Sequence, residues 1–222
     1  MPEGLIAENY RRIRGELPEH VELVVAAKGR TPGDIAQVIE AGARIIGENY
    51  VRDAEAAVAA LGELARRAEW HMIGHLQTNK VKKALSIFDV LQSLDSARVA
   101  EVVDAKADPR ARVYVEVNIG GEESKSGVPM HQVEQLLHEL SGLKNLRVEG
   151  LMTIEPYCED PARARTYFRR MKELFEELRT LRMPNVELKV LSMGMSHSYN
   201  VAVEEGANMV RIGTAIFGPR AG

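Results

Sequence analysis

The sequence predicts a (β/α)8 TIM-type barrel with an extra helix at its N-terminus, and three observations carry that reading. Eight short apolar, β-rich runs recur along the chain, and segments with apolar residues at helical spacing separate them. The repeat is about 28 residues, close to the length of a βαβ unit. Strands that alternate with helices from end to end close most readily into a parallel barrel. An open doubly wound sheet would show a glycine-rich first turn, but the first strand here runs into Ala27-Lys28-Gly29-Arg30-Thr31 rather than G-x-G-x-x-G.

The elements follow in order. Leu5 to Leu17 reads as the leading helix. Strands are expected at Glu22–Ala27, Arg44–Gly47, Trp70–Gly74, Val90–Leu94, Val113–Asn118, Val148–Met152, Leu188–Met193 and Met209–Ile212. After the first strand, Thr31-Pro32 is a helix start signal, and Ile35, Val38 and Ile39 form the apolar face. Further helical faces are Ala54, Val58, Leu61 and Leu64; Val99, Val102 and Val103; and Val133, Leu136, Leu137 and Leu140. The longest face, Phe168, Met171, Leu174, Phe175 and Leu178, has Arg and Glu on its opposite side. No linker or low-complexity tract interrupts the pattern, so residues 1–222 are expected to form one barrel domain.

Composition narrows the function. With 29 Lys and Arg against 32 Asp and Glu, the chain lacks the basic excess of a nucleic-acid-coating protein. Its 45% hydrophobic and 27% charged residues are those of a soluble globule rather than a disordered chain. The single cysteine, Cys158, cannot form an intramolecular disulfide and lies in a Pro- and acid-rich loop, where it reads as a spectator thiol. Residues Met1 to Tyr10 do not resemble a signal peptide, and no apolar run reaches the length of a membrane span. A cytoplasmic protein without membrane or nucleic-acid partners is expected.

In a parallel barrel, chemistry sits where strands end. Lys28 directly follows the apolar run Leu23 to Ala27. Desolvation at such a wall favours the neutral amine that attack on a carbonyl requires, while the bland alternative is a solvated lysine capping a strand. The stretch Ser192-Met-Gly-Met-Ser196 ends another strand, and a helix is expected to begin close to Ser196. With Gly213 and Thr214 after the last strand, it offers hydroxyls and free amides for an anion, phosphate above all. The alternative is plain helix capping at Ser196 and a turn at Gly213. His71 and His75 stand four apart, but on a strand pattern that does not suit zinc; His131 and His138 read as solvated, and Lys125, in the loop after the fifth strand, as structural or solvated with contact to a ligand as the alternative.

The motifs Gly47-Glu-Asn49-Tyr-Val51, Trp70-His-Met-Ile-Gly-His75-Leu-Gln-Thr-Asn-Lys80, Gly121-Glu-Glu-Ser-Lys-Ser-Gly127, Gly150-Leu-Met152-Thr-Ile154, Ser192-Met-Gly-Met-Ser196 and Val210-Arg-Ile-Gly-Thr-Ala-Ile-Phe-Gly218 occur in that order. Together with Lys28 they resemble the pyridoxal phosphate homeostasis protein family, whose fold is similar to the N-terminal barrel of alanine racemase. The resemblance spans nearly the whole chain. It implies binding of pyridoxal 5′-phosphate (PLP) as a Schiff base on Lys28. It also implies phosphate contacts at Ser196, Gly213 and Thr214, Arg211 facing the pyridine nitrogen, and Asn49, His75 and Met152 around the ring. The chain departs from the family pattern at Ala27, where Ser or Thr is common, and in a longer turn at Gly29-Arg30-Thr31-Pro32. It departs again at Ser198, which stands where an acidic residue is usual; Ser198 is expected to cap the following helix.

The resemblance therefore implies a carrier that holds PLP, contributes to its intracellular homeostasis and delivers it to PLP-dependent apoenzymes, without robust catalysis. Two alternatives belong to other classes. An amino-acid racemase needs a base on each face of the substrate carbon, and the related enzymes place the second, a tyrosine, on a C-terminal β domain. Only Pro219-Arg-Ala-Gly222 follows Gly218 here, so neither that domain nor the dimer it builds is expected, and a monomer is. A cofactor-free Schiff-base aldolase would need a proton shuttle near the lysine, and the strand ends offer mainly Glu48 and Glu116.

Overall fold

The computed structural model describes residues 4–122 and 125–219. The first and last three residues, and Glu123 and Ser124 of the Gly121–Gly127 motif, lie outside them. The leading helix is α1 (Leu5–Glu16), and the strands are β1 (Glu22–Ala26), β2 (Ile45–Glu48), β3 (Glu69–Met72), β4 (Val90–Leu94), β5 (Ala111–Asn118), β6 (Val128–Pro129), β7 (Leu146–Thr153), β8 (Val186–Ser192) and β9 (Met209–Ile212). All strand pairs of the sheet are parallel, in the order β4-β3-β2-β1-β9-β8-β7-β5, and the β4–β5 pairing closes the ring. Eight strands therefore form the predicted barrel. The ninth, β6, was not expected: it is a two-residue strand that pairs with β5 outside the ring, too short to leave a period in the sequence.

Among the described residues eight α-helices follow the strands: α2 (Pro32–Glu40), α3 (Val51–Leu61), α4 (Val81–Ala84), α5 (Ala97–Asp104), α6 (Val133–Leu140), α7 (Arg165–Arg179), α8 (Tyr199–Glu204) and α9 (Thr214–Phe217). The start of α2 shows how local sequence sets an element. Thr31 Oγ1 accepts from the Asp34 amide and the Asp34 carboxylate accepts from the Thr31 amide, both at 3.1 Å, with Pro32 in the first turn. This reciprocal cap satisfies two amides that a helix terminus otherwise leaves without a partner.

Side chains alternate across each strand, so the sheet has two faces. The outer face packs under the helices: Val25, Ile46, Val113, Val115, Leu151, Val210 and Ile212 join Ile35, Leu137, Phe168 and Met171 in one large apolar cluster. The inner face carries a second, smaller cluster of Val24, Ile45, Ile73, Val90, Tyr114, Met152 and Met209. Buried polar residues share that lumen, among them His71, Gln92, Ser192 and Arg211. No helix of the described residues is long and apolar enough to cross a membrane.

Candidate functional site

At the C-terminal ends of β1, β2, β8 and β9 a cavity of about 320 Å³ opens. Lys28, Asn49, Ser196, Arg211, Gly213 and Thr214 all line it. Six of the eight residues expected at the site, from four separate stretches of chain, thus meet in one place. Lys28 leaves β1 through a tight turn in which Arg30 N donates to Ala27 O at 2.9 Å and Gly29 adopts φ of 70°. Its Nζ lies 5.4 Å from the centroid of the Tyr50 ring, a cation–π contact at the mouth.

The anion-binding part differs from the sequence expectation. The helix after β8 begins at Tyr199 and has only six residues, and the Ser198 side chain does not cap it. The Ser198 hydroxyl instead accepts from Met195 N at 3.1 Å and donates to the Glu155 carboxylate, which reaches over from the loop after β7. The amides that matter come from the opposite loop. Ser196 Oγ accepts from Gly213 N and from Ala215 N, each at 3.2 Å, at the start of α9. A single oxygen cradled by two amides is the geometry an anion oxygen would take. Glycine is required at 213 because a Cβ there would come within 2.9 Å of the Ala26 carbonyl, so the β9 loop could not approach β1.

Arg211 projects from β9 into the lumen and is 4% exposed. Nη1 donates to Ser192 Oγ at 2.8 Å and Nη2 to the Thr153 carbonyl at 2.7 Å. Burial pulls its pKa down from the usual arginine range, and the nearby Glu155 and Glu116 carboxylates push it back up. Two carboxyls near the mouth are themselves shifted. Burial raises Glu48 to about 7 and Glu116 to about 7; Asp95 pushes Glu116 further up, while Arg211 and His75 oppose it.

Two expected residues stand outside this cavity. Met152 is fully buried in the apolar cluster of the lumen, among Val24, Val90 and Met209. His75 lies past the end of β3, half-exposed and 3.2 Å from Asp95, and lines a neighbouring cavity of about 510 Å³ that also touches Asn49. Conversely, Arg30, Ile73, Ile154, Met195 and His197 line the site without having been singled out. Arg30 donates to the Gly218 carbonyl at 2.5 Å and faces the Phe217 ring, so it fastens the β1 turn to α9. Lys125 is paired with Glu122 at 2.5 Å.

Comparison with known proteins adds to this geometry. The family described as "Alanine racemase, N-terminal domain" matches residues 4–221. The pyridoxal phosphate homeostasis protein of Aquifex aeolicus is 43% identical over 202 residues, covering 90% of this chain and 87% of the relative. That of Escherichia coli K12 is 36% identical over 229 residues, covering 97% of each chain. Among solved structures, PipY of Synechococcus elongatus with PLP bound superposes with a TM-score of 0.88 at 34% identity, over 96% of this chain and all of that one. Alanine racemase of Corynebacterium glutamicum shares the fold, with a TM-score of 0.76 at 19% identity over 97% of this chain and 60% of the enzyme.

Proposed function

The chain belongs to the alanine racemase N-terminal domain family and, within it, to the pyridoxal phosphate homeostasis proteins, and on that premise we propose that the cavity at the barrel mouth is its PLP seat, with Lys28 as the attachment point. The protein binds PLP and serves its homeostasis. The observation that carries the assignment of the seat is the convergence of Lys28, Asn49, Ser196, Arg211, Gly213 and Thr214 on one cavity of about 320 Å³, a size suited to a small cofactor.

The residues present fit that cofactor. Bound there, PLP offers an aldehyde to an amine and a phosphate to hydrogen-bond donors. Lys28 supplies the amine at the end of β1. The Gly213 and Ala215 amides, already turned toward one oxygen at Ser196 Oγ, can donate to the phosphate, and the Thr214 hydroxyl stands beside them. Arg211 can only donate, so beside a pyridine nitrogen it leaves that nitrogen unprotonated and accepting. A ring held in that state is a poorer electron sink, which favours holding over turnover. A cytoplasmic monomer that delivers PLP to apoenzymes is the setting this reading gives the protein. Met152 acts from the apolar layer below the seat and His75 from its rim.

The test separates the covalent from the non-covalent hold. Borohydride reduction of the PLP-loaded protein is expected to fix the cofactor to Lys28, as located by peptide mass spectrometry. Lys28→Ala should lose all of that adduct yet retain PLP through the phosphate contacts, as read by equilibrium dialysis. Label on another lysine, or pyridoxal binding as tightly as PLP, would overturn the assignment.

A further inference from the structure

A chain of buried hydrogen bonds crosses the barrel lumen from the mouth to the base. Arg211 Nη1 donates to Ser192 Oγ at 2.8 Å, and Ser192 Oγ donates to Gln92 Oε1 at 2.8 Å. The Gln92 amide nitrogen, which also reaches Met209 Sδ at 3.3 Å, lies 2.7 Å from His71 Nδ1. His71 Nε2 stands 3.3 Å from the carboxylate of Glu69, the first residue of β3. Arg211, Ser192, Gln92 and His71 are each 4% exposed or less, while Glu69 is exposed at the base and meets Arg112 there.

The chain runs in one direction. A guanidinium only donates, so Ser192 accepts from Arg211 and turns its own proton to the Gln92 carbonyl. The amide NH2 of Gln92 then faces His71, whose Nδ1 is the acceptor and whose Nε2 carries the proton toward Glu69. A proton on Nδ1 would face the NH2 of Gln92 and turn the amide over. Two donors, Arg211 and Gln92, would then converge on Ser192, and its hydroxyl proton would lose the Gln92 acceptor. Each link thus fixes the next, and aligned bonds of this kind strengthen one another in a low-dielectric interior.

Resting on the PLP seat assigned above, we infer that Ser192, Gln92 and His71 are positioning residues that act through Arg211: a one-way hydrogen-bond chain from the base of the barrel orients the guanidinium that meets the cofactor ring. The Glu116 and Glu155 carboxylates act on the charge of Arg211, and the hydrogen bonds to Ser192 and Thr153 set the direction of its guanidinium. The apolar lumen residues offer Arg211 no acceptor, and its other Nη2 bond, to the Thr153 carbonyl, fixes only one side of the fork. Without Ser192 and its backing, the guanidinium can turn about that single anchor.

The experiment measures PLP affinity by dialysis and the visible band of the PLP-loaded full-length protein for Ser192→Ala, Ser192→Thr, Gln92→Met, His71→Leu and the double variant His71→Leu/Ser192→Ala. Ser192→Ala is expected to weaken PLP about tenfold and His71→Leu about threefold, each with a displaced visible band. Ser192→Thr, which keeps the hydroxyl, should restore both. Gln92→Met keeps the volume beside Met209 and cuts the chain in its middle, so it serves if His71→Leu does not fold. His71 and Ser192 do not touch, so two independent packing defects would add. Members of one chain do not add, and the double variant should be no weaker than Ser192→Ala alone. Additive losses, or wild-type affinity and band in folded His71→Leu and Gln92→Met, would overturn the inference. Borohydride labelling of Lys28 in the same variants keeps this outcome apart from a failure of the seat itself, which would abolish the label in the unaltered protein.

Discussion

The two faces of the barrel sheet are built from neighbouring residues of the same strands, yet they carry opposite chemistry. On β9, Val210 and Ile212 point outward into the helix layer while Met209 and Arg211 point into the lumen. On β8, Leu191 faces out, and Ser192 holds Arg211 within. The outer layer is almost entirely aliphatic and aromatic, so its hold is non-directional and depends on area and close packing. The lumen mixes a small apolar cluster with a polar chain whose every member needs a partner of the right sense. The difference shows where each property resides: stability in the shell under the helices, and cofactor contacts along the lumen and its mouth.

The strongest way to break that division is a deep cut in the shell. Phe168 on α7 is fully buried, and Phe168→Ala should cost about 3–5 kcal/mol through lost burial and the cavity left behind. Its folded fraction should bind PLP as the unaltered protein does. Denaturant titration gives the first number and dialysis the second; a large loss of affinity in the folded protein would show that the two layers are not separable.

A subtler contrast uses one buried carboxyl on each face. Glu48 follows Ile46 in alternation and so lies on the helix side of β2, beneath α3, whereas Glu116 lies on the lumen side of β5, within the field of Arg211. Burial raises both to about 7 in the folded protein, against an ordinary carboxyl near 4.5 when unfolded. The folded state therefore binds the extra protons between those values. The stability tied to them is fully present below about pH 4.5 and is lost as pH rises through about 7, by up to about 3 kcal/mol per group. Gln at either position should flatten the fall in stability between about pH 4.5 and 7, as seen in denaturation midpoints. Of the two, only Glu116→Gln should also flatten the pH dependence of PLP affinity, because Glu116, unlike Glu48, acts on Arg211. An equal effect of Glu48→Gln on affinity would count against the division of faces.

Much of this was legible in the sequence because strands and helices leave periods. All eight barrel strands and the leading helix fall where alternation and helical spacing place them, to within a few residues at the ends. The mouth was legible too: Lys28, Ser196, Gly213 and Thr214 stand beyond strand ends that closure of the ring brings together, while Asn49 and Arg211 were reached through the family resemblance. Met152 and His75 mark the limit of that rule. Met152 is one residue short of the end of β7 and points into the apolar lumen, and His75 overshoots β3 by three residues and turns to Asp95. The lumen chain was not legible, because Gln92 lies 21 positions from His71 and 100 from Ser192, and only the closed sheet joins them. Glu155 escaped notice for the same reason: its partner Ser198 is 43 positions away.

That last pair yields the smallest effect and the sharpest comparison between the phosphate and ring ends of the seat. The family resemblance implies an acid at position 198; the chain has Ser198, and the structure brings a carboxylate to it from the β7 loop. The Ser198 hydroxyl binds Glu155 on one side and takes the Met195 amide on the other, at 3.1 Å. It thereby pins the turn that begins at Gly194, whose φ of 93° suits glycine, and ends at Ser196. Ser196 is the residue that meets the Gly213 and Ala215 amides, so looseness in the turn bears most on the phosphate end; Arg211 feels it through its backbone amide, which donates to Gly194 O at 3.0 Å. Removing one hydroxyl with its neutral amide bond is worth about 1 kcal/mol, or roughly fivefold in affinity. Ser198→Ala should accordingly weaken PLP by about that factor and weaken pyridoxal, which has no phosphate, less. Parallel dialysis of the two compounds decides it. Equal loss for both would mean that Glu155 and Ser198 support the whole mouth of the barrel rather than its phosphate end.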